Sequence, residues 1–401
     1  MKAYLAILTL IACAAAGFYA WIQLAGLEFD YTLRMASSGV CIIGIVAGGL
    51  GSFALLRKQS LLGDTIAHAA LPGVVLAFMI TGTKHPVTLL IGAMLAGWIG
   101  TLLIGSIIRR THIKEDAAMG IILSVFFGLG MILLSLAQKR WPDAQQAGLH
   151  QFLFGSATEM LAEDVSVIFL FGCTALIALC LFWKEFKLLT FDPDFAKTLG
   201  FPIRRLDIML MTLLVIAIAI GLQPVGVVLM SAMLVAPAAA ARQWTNQMPV
   251  MVLLSSTFGA ICGIAGTLAS SQVAKLPTGP TITIFLTVVV LISLLFARER
   301  GLAWQWLKRQ RNRRQIQVST ALVTLLRLEE SHPEDSQHPH SLRSLQSSLY
   351  GDVPATMERL VQSGFATEQE PQKWRLTGNG KREAERTLQE IEEDLDGRLV
   401  R

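Results

Sequence analysis

Three things are missing or scarce in this 401-residue sequence. It contains no GxxxxGK[ST] stretch, so it has no phosphate-cradling loop of the Walker type and cannot itself hydrolyse ATP. It contains no CxxC: Cys13, Cys41, Cys173, Cys180 and Cys262 are scattered through apolar runs. That excludes a cysteine-based zinc site, argues against a disulfide framework and reads the five as small buried hydrophobes. Charge is scarce as well. Only 16% of residues are charged and 53% are hydrophobic, whereas soluble proteins carry about 25% charged residues. The class is a polytopic membrane protein.

The scarcity is uneven. Up to about residue 297 the chain is a series of apolar runs, each long enough to cross ~30 Å of hydrocarbon. They lie near 3–25, 36–56, 61–81, 86–108, 118–137, 164–183, 206–222, 225–241, 250–270 and 280–297. From Arg298 onward the chain turns polar, and no later run could span. Basic residues fall in alternate connections: Arg57 with Lys58, then Arg109, Arg110 and Lys114, then Lys184, Lys187, Arg204 and Arg205, then Arg242, then Arg298 and Arg300. Only Lys84, Lys139, Arg140 and Lys275 fall on the other side. The positive-inside rule then places both termini in the cytoplasm. The first run also reads as a signal peptide, with "LIAC" like a lipoprotein cleavage box. An uncleaved span keeps the parity that puts Arg57 inside. The longest outer connection, 138–163, contains "GLHQFLFGS", which reads as a re-entrant or interfacial helix. Gly and Pro within "GIVAGGLGS" and "QPVGVVLMSAMLVAPAAAA" suit close helix packing and broken helices.

The stretch "SLLGDTIAHAALPG", residues 60–73, sets an aspartate and a histidine among leucines and alanines. An intramembrane charge is costly and is kept mainly where it meets a substrate, ion or partner. Asp64 and His68 are four residues apart and share one face of a helix. A carboxylate and an imidazole so placed can bind a divalent transition metal. The plainer alternative is a helix N-cap aspartate and a satisfied core histidine. Two ligands make a weak site, which suits an ion that has to be released.

The region "GIVAGGLGSFALLRKQSLLGDTIAHAALPGVVLAFMITG" resembles the signature of permease subunits of the manganese/zinc/iron ABC importers. The likeness continues through "DAAMGIILSVFFGLGMILLS", "FLFGSATEM", "LLTFDPDFAKTLGFP", "PVGVVLMSAMLVAPAAAARQW" and "LLSSTFGAICGIAGTLAS", in order, over about residues 36–297. The resemblance implies that Asp64 and His68 line the translocation pathway and contact the metal. It also implies that "FDPDFAKTLGFP", residues 191–202, is a coupling helix for the ATPase subunit. "DFAKTLG" has the acid-x-Ala-xxx-Gly form, with Asp194, Ala196 and Gly200. Phe195 and Leu199 are its apolar contacts, and Gly200 closes the helix.

After residue 297 a basic, Trp-bearing linker, 298–315, reads most simply as a helix end snorkelling at the surface of anionic lipid. Residues 316–401 then read as helix, turn, helix, wing, helix. "VPATMERLVQSGFA" is a helix closed by Gly364, "TEQEPQKWRLT" a two-stranded wing and "TGNGKREAERTLQEI" a closing helix. "LVQSGFATEQEPQKWRLTGNGKREA" resembles the winged helix-turn-helix of iron-dependent metalloregulators. DNA is thus one candidate partner of the tail, although the near-neutral recognition helix offers phosphates little; the alternative is a regulatory or subunit-contact module. His332, His338 and His340 are candidate regulatory metal ligands, or an ordinary solvated histidine loop.

The expected fold is therefore an all-α polytopic membrane protein of about nine or ten transmembrane helices, with a C-terminal cytosolic winged helix-turn-helix α+β domain. Its parts are a transmembrane permease domain, 1–297, the linker 298–315 and the tail 316–401. The resemblance implies a non-enzymatic permease subunit with no cofactor of its own. It would carry Mn²⁺, Zn²⁺ or Fe²⁺ across the plasma membrane and use ATP bound on a partner. The partners it implies are ABC ATPase subunits, an extracytoplasmic substrate-binding protein and a second permease copy, homo- or heterodimeric. Two rivals stay open: an ATP-independent secondary transporter with Asp64 and His68 as a proton relay, and a membrane-tethered metal-responsive regulator.

Overall fold

A chain in hydrocarbon must satisfy its own backbone hydrogen bonds, so long apolar runs become helices. In the computed structural model, residues 31–83, 85–140, 155–157, 160–272, 276–297, 301–330, 340–341, 345 and 353–399 are described. Among them, nine helices are long and apolar enough to cross a membrane. They are α1 (Tyr31–Leu56), α2 (Leu62–Thr81), α3 (Pro86–Arg110), α4 (Glu115–Arg140) and α5 (Ala162–Leu181), then α8 (Ile203–Val225), α9 (Val227–Trp244), α10 (Met248–Gln272) and α11 (Thr278–Phe296). Two short helices, α6 (Trp183–Phe191) and α7 (Pro193–Thr198), stand between α5 and α8. The expected run at 3–25 lies outside the described residues, as does most of "GLHQFLFGS". The chain divides into two compact units, Met1–Gly301 and Leu302–Arg401.

In the first unit, α1 is the most buried helix and packs most extensively on α10. Small residues allow it. Gly44 and Gly259 approach so closely that a Cβ on either would overlap the other's backbone. Ser255 Oγ donates to the Gly48 carbonyl at 2.7 Å, and Ser256 Oγ to that of Ile45 at 3.0 Å. This is the small-residue packing with interhelical hydroxyl bonds that membrane helices use when hydrophobicity cannot drive them together. The glycines of "GIVAGGLGS" are contact glycines.

Contacts between helix ends fix the up-and-down order. At the arginine-rich end, Phe53 of α1 meets Trp183 edge-on, with ring centroids 5.6 Å apart. There Arg57 also pairs with Asp207 of α8 at 2.5 Å. At the opposite end, the backbone N–H of Ala157 donates to Thr278 Oγ1 of α11 at 3.1 Å. The N–H of Ser156 there donates to the Gln223 carbonyl of α8 at 3.2 Å. Gly226, at φ +93°, separates α8 from α9. The four cysteines among the described residues are free. Only Cys262 is buried; Cys180 is exposed on α5, so the expectation of uniformly buried thiols is corrected. A face turned to lipid holds a small apolar residue as readily as a core does.

The second unit runs α12 (Leu302–Glu330), β1 (His340–Ser341), α13 (Val353–Gln362), β2 (Ala366–Glu370), β3 (Lys373–Leu376) and α14 (Gly378–Leu399). The antiparallel sheet has the order β1-β3-β2. Its core gathers Leu322, Leu326, Met357, Leu360 and Trp374. Gly364, at φ +73°, ends α13, with the Phe365 N–H returning to the Leu360 carbonyl at 2.9 Å. Residues 302–315 of the expected linker are the first turns of α12.

Candidate metal centre

Asp64 and His68 lie in the first turns of α2, at the arginine-rich end of the bundle. The helix N-cap is Leu61, with no side-chain cap, so Asp64 does not serve as the N-cap. Its carboxylate turns along the helix instead, and Asp64 Oδ1 lies 3.4 Å from His68 Nε2. The imidazole is 12% exposed and the carboxylate 33%, so the pair is half sheltered and still reachable. Two donor atoms 3.4 Å apart, each ~2.1 Å from one metal, subtend roughly 110° at it, near the tetrahedral angle. The spacing fits one coordination shell.

Neighbouring helices hold the pair in place. Phe127 of α4 meets the His68 ring edge-on at 4.7 Å and 78°. Gly63 sits against Leu234 of α9, where a Cβ would crowd that side chain. Thr65 Oγ1 donates to the Leu61 carbonyl at 2.9 Å, so this hydroxyl is already engaged. His68 Nδ1 is buried and has no hydrogen-bond partner among the described residues. Metal-bound imidazoles usually donate through the second nitrogen; here the ring is held by packing. No group of three or more His, Cys, Asp or Glu side chains among the described residues could hold a metal. Asp64 and His68 are thus a pair of potential donors with no third such side chain grouped with them among the described residues.

The second predicted region is α7 with its flanks. The Asp192 carboxylate caps it, accepting from the Phe195 N–H at 2.9 Å. Pro193 at its first position suits a helix start. Ala196 is the buried residue of the helix, while Asp194 pairs with Lys197 in solvent at 2.9 Å. Phe195 and Leu199 are 51% and 55% exposed. Gly200 ends the segment at φ +81°, with no atom within 4 Å of a would-be Cβ. Phe191 and Phe201 extend the exposed apolar surface on either side.

Of the candidate histidines of the tail, the described residues include only His340. His332 and His338 lie outside the described residues, and His340 stands in β1, in register with Trp374 of β3. Sequence reasoning missed two groups. Arg57 served only as a topology marker, yet it holds Asp207, 150 residues away. Asp164, unremarked in the sequence, is 5% exposed and accepts from the Leu161 N–H at 2.9 Å to start α5. An acid three residues beyond a helix boundary is the one signal that could have found it.

Residues 29–297 match the ABC 3 transport family. The chain is 45% identical over 282 residues to the zinc transport system membrane protein TroC of Treponema pallidum, covering 70% of this chain and 94% of that one. It is 44% identical over 305 residues to the manganese transport system membrane protein MntC of Bacillus subtilis, covering 76% and 69%. Among solved structures it is similar to PsaBC from Streptococcus pneumoniae in complex with Fab. The TM-score is 0.63 at 33% identity, covering 72% of this chain and 98% of that one.

Proposed function

The chain belongs to the ABC 3 transport family, and from that premise we propose that it is the membrane permease of an ATP-driven importer of Mn²⁺ or Zn²⁺, with Fe²⁺ as a third candidate. One observation carries the reading to the atomic level: the 3.4 Å approach of Asp64 Oδ1 and His68 Nε2 on a half-sheltered face of α2. A neutral imidazole and a carboxylate hold such ions while leaving positions for water, so release stays easy. A second permease copy, identical or related, supplies its own pair across a two-fold axis. The arginine-rich end faces the cytosol, consistent with the positive-inside rule.

The exposed Phe195 on α7 and Leu199 at its C-cap dock in a groove of the ATPase subunit, and Gly200 lets the chain turn away from it. A substrate-binding protein delivers the ion at the other side. The unit from α12 onward is read as a winged helix-turn-helix that contacts its own copy or the ATPase, supported by its order of helix, short strand, helix, hairpin and helix. Trp304 and Trp306, both exposed on α12, suit a lipid headgroup layer.

The test is uptake of radioactive metal by the reconstituted complex, with and without ATP. ATP-dependent uptake that disappears in Asp64→Ala and in His68→Ala is the expected result. Uptake that runs without ATP on a proton gradient overturns it in favour of a secondary transporter.

A further inference from the structure

Two elbows of the chain stand at the arginine-rich end, and one ion pair joins them. The first elbow links α1 to α2. Lys58 sits there at φ +60°, a left-handed backbone that residues with a side chain rarely adopt. The Gln59 N–H returns to the Ala54 carbonyl and the Lys58 N–H to that of Leu55, both at 3.0 Å. The Leu62 N–H then donates to the Gln59 carbonyl at 3.1 Å as α2 begins. The second elbow links α7 to α8, with Gly200 at φ +81°. The Phe201 N–H returns to the Ala196 carbonyl at 3.1 Å and the Gly200 N–H to that of Lys197 at 3.0 Å. Both are Schellman closures, in which the chain turns sharply while its backbone stays hydrogen-bonded. A turn bonded this way passes a displacement on, where an open hinge would absorb it.

Arg57 directly follows α1 and precedes α2 by one short turn, while Asp207 lies in the first turns of α8. Their side chains pair at 2.5 Å, with Arg57 16% and Asp207 38% exposed. Arg57 Nη1 is buried without a hydrogen-bond partner among the described residues, so the guanidinium depends on Asp207. Asp207 has exposed basic residues on its own helix, Arg204 and Arg205, yet it pairs with Arg57 across 150 residues of chain. Desolvating two charges offsets most of their attraction, so stability alone is a poor reason for such a pair. Its position supplies a better one. It ties the elbow behind the exposed Phe195 and Leu199 to the elbow in front of Asp64 and His68.

We propose that Arg57 and Asp207 are positioning residues that transmit movement of α7 to the start of α2, so that ATP on the partner subunit sets the arrangement of Asp64 and His68. The inference rests on the metal-importer reading given above, with α7 as the ATPase contact. A push on α7 displaces the first turns of α8. Asp207 draws Arg57 with it, and the bonded turn at Lys58 passes the displacement to Leu62 and Asp64. Neither side chain belongs to the metal pair, so loss of their charges leaves resting metal binding intact and loosens its link to ATP.

The test compares Arg57→Gln, Asp207→Asn and the double variant in the full complex reconstituted in vesicles. Co-purified ATPase, Mn²⁺ bound without nucleotide, ATP hydrolysis and Mn²⁺ uptake are measured on each. The first two should match the natural complex, while Mn²⁺ carried per ATP falls about tenfold in either single variant. The double variant should fall no further, because the same link is lost in all three. A merely structural role would lower the amount of assembled complex and leave the ratio unchanged. A ratio within about twofold of the natural one in the single variants overturns the proposal. So does a double variant whose loss is the product of the two, or resting Mn²⁺ binding that vanishes with uptake. Asp207→Asn, at the more exposed partner, carries the test should Arg57→Gln fail to assemble, and its ratio then decides. ATP-independent uptake by the natural complex would instead sink the importer reading, whereas ATP-driven uptake with an unchanged ratio sinks the Arg57–Asp207 link alone.

Discussion

The start of α2 and the short helix α7 break the same rule in opposite directions. At α2, a carboxylate and an imidazole stand among leucines and alanines in a span that is mostly buried. At α7 and its C-cap, Phe195 and Leu199 stand exposed on either side of Lys197 in a connection outside any span. Each arrangement costs free energy in the isolated chain: the first through desolvation, the second through apolar surface left uncovered. The contrast shows that function here sits where residue chemistry and surroundings disagree. Under the function proposed above, the direction of the mismatch corresponds to the missing partner, a cation at α2 and an apolar groove at α7.

Breaking the α2 side should have the largest effect. Asp64→Ala or His68→Ala each removes one of the two proposed ligands, and uptake should fall by about 100-fold or more. The chain should still fold and retain its ATPase partner, as co-purification would check. Phe195→Asp attacks the other side. It should weaken association with the ATPase by roughly 10–100-fold, while metal bound at the α2 pair stays unchanged. If both variants lost metal binding alike, the two regions would not be separate devices.

Much of this contrast was legible in the sequence because both mismatches are local. A membrane span announces itself over some twenty residues, so nine of the ten expected runs meet a described helix. The D-x-x-x-H spacing puts Asp64 and His68 together within one helix, and the Gly200 turn follows from the residue itself. Long-range pairing was not legible. Nothing near Arg57 points to Asp207. Nor does any local signal say that the acid starting α5 is buried where that helix meets α3 and α8. The basic stretch after residue 297 read as a helix end at a lipid surface, and α12 begins within it at Leu302 but continues to Glu330, a length that its local sequence did not announce.

Smaller changes sharpen the comparison. Gly200→Val forces a β-branched residue into a left-handed backbone at φ +81°, a strain of at least ~1–2 kcal/mol. The space around Gly200 is open, so the cost falls on backbone geometry alone. ATP hydrolysis per metal transported should rise several-fold as coupling loosens, which parallel hydrolysis and uptake assays would read. The smallest effect is expected from removing residues 312–401, because both mismatched regions lie in the other unit. Metal import should persist, with its rate or its inhibition by cytosolic metal shifted by a coupling of about 1–3 kcal/mol. Kinetics unchanged at every metal concentration would leave the tail without a transport role. A gel-shift with the intact protein would then be the next measurement.

The central claim is that the transported ion rests between Asp64 and His68. Anomalous scattering from Mn²⁺ or Zn²⁺ in crystals of the intact complex tests it most directly. The account predicts a peak about 2.0–2.2 Å from both Asp64 Oδ1 and His68 Nε2. A transport-competent complex whose metal peak lies away from both atoms would contradict it.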